Sequence, residues 1–155
     1  MPDENEGSEV FNGEKYLIFT ILGKFYTFPS RIISEVTAFD TVYPLPLVPE
    51  YVMGIINRYS APYALVDIGL LIQKTPTPQS KVVVLKETVE KIAFLIDDVV
   101  DIVDVGHSDL LKVEQGVEVN DSTDIIEASF GWHDTNVFVL NIRQIISRVV
   151  SEFRV

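Results

Sequence analysis

The chain has no cysteine in 155 residues, which removes disulfide frameworks, thiolate nucleophiles and thiolate metal sites together. Histidine is nearly as scarce. His107 and His133 lie far apart, each with one nearby aspartate (Asp109, Asp134), whereas a metal centre needs three or four converging ligands. Positive charge is also short: 12 Lys and Arg face 23 Asp and Glu, for a formal net charge of −11. Nucleic acid needs clustered cations and an anionic membrane repels such a surface, so neither is an expected partner. No apolar run approaches the roughly 20 residues of a membrane span, and the start lacks a basic region followed by an apolar one. The expected location is the cytoplasm, without membrane insertion.

Catalytic signatures are missing as well. No phosphate-cradling glycine loop, nucleophile elbow or Cys/His pair occurs. The densest acidic cluster, Asp97, Asp98, Asp101 and Asp104, lacks the residue order of a calcium loop. Adjacent strand residues point to opposite faces, so Asp97 and Asp98 form no carboxylate dyad; a solvated, edge-protecting strand accounts for them better. The sequence thus points to a non-enzymatic protein without metal or cofactor. The rival expectation is a β-barrel binding a small ligand, or a hydrolase using Asp67 or Asp97.

What is present is a folding composition, 47% hydrophobic and 23% charged, in short segments with strand periodicity. Residues 1–13 read as an acidic, mobile leader, and residues 14–155 as one domain. Tyr16-Leu17-Ile18-Phe19-Thr20-Ile21 and Phe25-Tyr26-Thr27-Phe28 flank Gly23 as a hairpin. Residues 32–39 make a third strand after one helical turn. Three prolines, Pro44, Pro46 and Pro49, impose an extended connector, and residues 49–56 suit a short helix with Pro49 in its first turn.

Strands follow at 63–68, 81–85, 91–96, 97–105, 125–130 and 136–142. The Thr75-Pro76-Thr77-Pro78 connector is the expected seam between two halves. Many short strands at close spacing indicate barrels or a sandwich. Ile142, Ile145, Ile146, Val149, Val150 and Phe153 make a helical apolar stripe, expected to close the domain against its core. Asp67 and Asp97 each end a strand, where a carboxylate caps loop amides. Asn120-Asp121-Ser122 has the form of a glycosylation sequon but carries no weight in a cytoplasmic chain.

The segment VYPLPLVPEYVMGIINRYSAPYALVD, residues 42–67, resembles the signature of the CheW-type coupling proteins of bacterial chemotaxis. It supplies Pro46, Pro49, Tyr51, Gly54, Asn57 and Asp67 in the family's order. Ile33-Ser34-Glu35-Val36, residues 92–99 and Val139-Leu140-Asn141-Ile142 resemble further family elements.

The resemblance implies a mainly β fold: two small five-stranded, SH3-like β-barrels around a shared hydrophobic core, with short helices and a C-terminal amphipathic helix. It implies a scaffold coupling the cytoplasmic tips of chemoreceptors to a chemotaxis histidine kinase through the kinase's regulatory domain. A divergent relative in a non-flagellar pathway is the alternative. Partner-binding residues implied are Glu35, Val36, Gly54, Asn57, Arg58 and Tyr59. Gly54 is expected to allow a close backbone approach or a positive φ, and Asn57 to serve turn geometry. The sequence departs from the family at Asn57-Arg58-Tyr59-Ser60. The usual arginine position falls on Tyr59 and the glycine on Ser60, while Arg58, one residue early, is expected to face the opposite way in an extended segment.

Overall fold

The computed structural model describes residues 12–38, 41–78, 81–112 and 125–153. Most of the expected leader and the Asn120 sequon therefore lie outside the described residues.

Among the described residues, eleven strands form two sheets. β1 (Gly13–Ile21) and β2 (Lys24–Pro29) are the expected hairpin. Its loop is Leu22-Gly23, both at positive φ (52° and 83°), the twist that suits a two-residue connection between right-twisted strands. One 3-10 turn, Ser30–Ile32, leads into β3 (Ile33–Ala38). β4 (Val52–Arg58) and β5 (Ala61–Asp67) form a second hairpin, and a single π turn, Gly69–Gln73, follows. Then come β6 (Lys81–Leu85), β7 (Ile92–Ile96), β8 (Asp98–Gly106), the two-residue β9 (Leu111–Lys112), β10 (Ile126–Trp132) and β11 (Thr135–Leu140). The chain closes with helix α1 (Ile142–Phe153), capped by Asn141, whose Oδ1 accepts from the Gln144 amide at 3.1 Å.

The first sheet runs β8-β1-β2-β11-β10-β9 and the second β3-β6-β7-β5-β4. Two points differ from expectation. One sheet has six strands rather than five, because β9 adds a short edge. The Thr75–Pro78 connector is no seam, since β6 and β7 beyond it join the same sheet as β3–β5. The halves interlock instead: the N-terminal β1 and β2 pair with the late strands β8 and β11, the latter in parallel.

Alternate side chains explain the continuous apolar runs. On β1, Leu17, Phe19 and Ile21 enter a core shared by both sheets, while Tyr16 and Ile18 enter a second cluster with Phe130 and Val137. On β7, Ile92, Phe94 and Ile96 join the shared core, while Ala93 and Leu95 line a third cluster with Ile56, Tyr63 and Val84. Each sheet thus buries both faces, so these strands cannot alternate with polar residues. α1 adds Ile145 and Val149 to the shared core, as its stripe predicted.

Both expected aspartate caps form. Asp67, 1% exposed, accepts from the Leu70 amide (3.2 Å), the Thr77 amide (3.0 Å) and the Thr77 hydroxyl (2.6 Å). Asp97 accepts from the Leu22 amide at 3.0 Å.

The Tyr51 hydroxyl donates to Glu152 at 2.6 Å and ties α1 to the start of β4. Burial, and then the acceptor role of Glu152, raise the Tyr51 pKa well above its ordinary 10.0; burial likewise raises those of Tyr16, Tyr26 and Tyr63. The folded chain therefore keeps protons that the unfolded chain releases at high pH. This contribution to stability is complete below pH 10 and shrinks as pH rises further. The urea midpoint is expected to fall as pH rises above about 10, and Tyr51→Phe to cost about 1 kcal/mol at neutral pH while flattening that fall. A midpoint constant across this range would contradict the assignment.

Candidate partner interface

β3 and β4 are the two edges of the five-stranded sheet, and every partner-binding residue implied by the resemblance lies on them or on the turn after β4. Residues 49–56 are not the expected helix. Pro49 begins a turn, closed by the Val52 amide on the Pro49 carbonyl at 2.9 Å, and the chain is extended from Val52 onward. Val52, Ile55 and Ile56 are β-branched, and pairing with β5 plus burial on the sheet outweigh a helix start.

Gly54 sits at φ 142° and is buried beneath the connector. A β-carbon there would lie 2.4 Å from the Tyr43 carbonyl oxygen. That approach lets Tyr43 pair with Ile55 through two 2.8 Å backbone bonds and fixes the Pro-rich arm against β4. Gly54 is therefore buried, and its role in the fold is to hold the connector against β4. Asn57 is exposed on β4 opposite Pro62, on a strand rather than in a turn after a helix.

Tyr59 and Ser60 form the two-residue β4–β5 loop at φ 52° and 61°, flanked by the Arg58–Ala61 pair. Because Tyr59 lies in a left-handed turn, the expected opposition between Arg58 and Tyr59 does not occur, and both reach β3. Arg58 bonds Glu35 through Nε at 3.0 Å and also through Nη2. The Tyr59 hydroxyl shares a 2.9 Å bond with Ser34. The register of β3 against β6 shifts between Ile33 and Glu35, a bulge that re-aims side chains. It accounts for neighbouring Ser34 and Glu35 both meeting the β4–β5 turn.

The Arg58 guanidinium also lies 5.7 Å from the centre of the Tyr59 ring, in cation–π range. The Arg58 hydrogen bond holds the Glu35 carboxyl below its ordinary pKa of 4.5, with a smaller contribution from Tyr59. Val36 and Tyr59 are left exposed, at 36% and 56%. Beneath Tyr59, the Tyr63 ring is fully buried and its hydroxyl has no protein partner.

The residues missed in the sequence are Ser34, Tyr43 and Tyr63. The gap between β3 and β4, lined by Thr37, Ala38, Thr41 and Asn57 among others, has room for about one water. A second cleft, of about 370 Å³, lies between the Gly69–Gln73 turn and α1 and is lined by Glu50, Lys74, Arg148 and Glu152. Among the described residues no group of His, Asp and Glu is arranged to hold a metal ion, and no helix is long and apolar enough to cross a membrane.

Two sheets around a shared core make a mainly β fold with a closing helix. The chain belongs to the CheW-like domain family, whose profile it matches over residues 15–150. It is 20% identical over 114 residues to the chemotaxis protein CheW of Bacillus subtilis (strain 168), covering 72% of this chain and 73% of that one. The fold is similar to that of the scaffolding protein TtCheW from Thermoanaerobacter tengcongensis, with a TM-score of 0.75 at 16% identity, covering 87% of this chain and 88% of the other.

Two substitutions test this geometry. Gly54→Ala is expected to cost about 2–4 kcal/mol in denaturant unfolding, by overpacking against Tyr43 and by strain at positive φ. It should also speed amide exchange at Tyr43 and Ile55. Arg58→Ala is expected to raise the Glu35 titration midpoint toward 4.5, read by carboxyl NMR. Because the native pKa is depressed, the pair stabilises the fold above pH 4.5 and the contribution is lost as pH falls through the native value. A Glu35 midpoint unmoved by the loss of Arg58 would rule out the pair as its cause.

Proposed function

We propose that this protein is a non-enzymatic cytoplasmic adaptor that couples chemoreceptors to a chemotaxis histidine kinase. It binds the kinase's regulatory domain and the receptors' cytoplasmic tips, with residues 14–155 acting as one domain. The observation that carries this reading is membership of a scaffold family over nearly the whole chain, combined with an exposed sheet edge at Val36 and Tyr59. Side chains on two edge strands, held in place by the Glu35–Arg58 pair, form a docking surface without reacting groups. Such contacts are small and weak singly, and repetition in a receptor–kinase array adds avidity.

The small-ligand alternative draws little support from the two clefts. One holds about a single water, and the other is an ionic groove rather than an apolar pocket with a few convergent polar groups.

Calorimetric titration with the regulatory domain of the same organism's chemotaxis kinase tests the reading, with a receptor-tip fragment as second ligand. Binding in the micromolar range or tighter is expected. Glu35→Lys, which sets a cation against Arg58, should weaken it by about tenfold while far-UV circular dichroism stays unchanged. Failure of both ligands to bind would sink the adaptor reading.

A further inference from the structure

Asn12 is the one asparagine in the sequence that is followed by glycine. It is exposed and stands directly before β1. Its main-chain carbonyl accepts from the His107 amide at 2.9 Å, and its side-chain Oδ1 lies 3.1 Å from His107 Nδ1. A carboxamide oxygen only accepts, so the imidazole donates through Nδ1. His107 opens the 3-10 turn His107–Asp109 at the end of β8, and these two contacts join that turn to the entry of β1.

Gly13 pairs with Gly106. Because the His107 amide bonds the Asn12 carbonyl, these two glycines form a non-hydrogen-bonded pair, which leaves the Gly13 N–H outside the β1–β8 ladder. Pairing of β1 with β2 starts only at Tyr16. With no β-carbon on residue 13, nothing on it obstructs approach of its nitrogen to the Asn12 side chain. Asn57 supplies the contrast within the same chain. It is exposed too, but its successor Arg58 lies inside β4 with its side chain bonded to Glu35.

We propose that Asn12 is a self-modifying residue, converted to aspartate and isoaspartate by attack of the Gly13 nitrogen, with His107 promoting the step. The Gly13 nitrogen bonds to Asn12 Cγ and loses its proton, closing a cyclic imide, while the Cγ–Nδ2 bond breaks and ammonia leaves. Water then adds to one of the two imide carbonyls. Breaking the new bond to Cγ gives aspartate, and breaking the original peptide bond gives isoaspartate. Negative charge develops on Oδ1 during ring closure, where the His107 Nδ1–H donates. Either product sets a carboxylate beside His107. Isoaspartate also lengthens the main chain by one carbon at the mouth of β1, which loosens its pairing with β8. The proposal is independent of the adaptor reading.

The test is incubation of the full chain in water at neutral pH, followed by intact-mass measurement, peptide mapping and labelling with an isoaspartate methyltransferase. Residue 12 is expected to convert about tenfold or more faster than Asn57, since only its successor lacks a β-carbon. Gly13→Ala should slow conversion by about tenfold. His107→Ala should slow it by about threefold, a small effect because the contact is open to water. Far-UV circular dichroism should be unchanged in both variants, and amide exchange at His107 should quicken in the converted chain. Absence of conversion at residue 12, or conversion no faster than at Asn57, would overturn the proposal. A mass change that persists in Asn12→Asp would place the chemistry elsewhere and overturn it as well. Conversion undiminished in His107→Ala would remove His107 from the step.

Discussion

Phe28 on one sheet meets Phe94 on the other with ring centres 5.1 Å apart, both fully buried, inside the core that the two sheets share. The rest of the structure depends on that apposition. Each sheet also buries its opposite face over a cluster of its own, so β1, β5, β6 and β7 must be apolar on both sides. Such strands are stable only with a sheet or helix on either face. β1 and β2 therefore sit against strands that follow them by some eighty residues or more in sequence, and the six-stranded sheet is incomplete without both ends of the chain.

That interlocking determines which parts of the chain remain at the surface. Central strands are occupied on both faces, leaving edges, turns and connectors as surface. The β3 and β4 edges would present unpaired backbone groups, a hazard proteins manage by covering or charging an edge. Here the arm covers part of β4 through the Tyr43–Ile55 bridge, and the Glu35–Arg58 and Ser34–Tyr59 contacts span the remaining gap. The features that protect this edge also hold Tyr59 and Val36 outward. The protection of this edge and the proposed docking surface share the same few side chains.

The sequence made the strands legible wherever apolar runs ended at Gly, Pro or a charged pair, and the amphipathic stripe of α1 was equally plain. Family-level kinship was readable from the order of Pro46, Pro49, Gly54, Asn57 and Asp67. The stretch at 49–56 misled, because Pro49 in a first turn is an ordinary helix start and a short apolar run has no decisive period. The Thr-Pro connector misled for another reason: local chain chemistry marks a loop, while sheet membership is set by distant pairing.

By itself the sequence determined the β-rich composition, the closing helix, the acidic charge balance and the need for two-sided burial, because these depend on residue type and short-range spacing. Only the tertiary structure decided that Arg58 and Tyr59 reach the same strand. That outcome required a left-handed two-residue turn after β4, a bulge at Ser34 on β3, and the closure that brings the two edges of one sheet together. Those edge strands are not hydrogen-bonded neighbours in the sheet order, so no local pattern records their meeting.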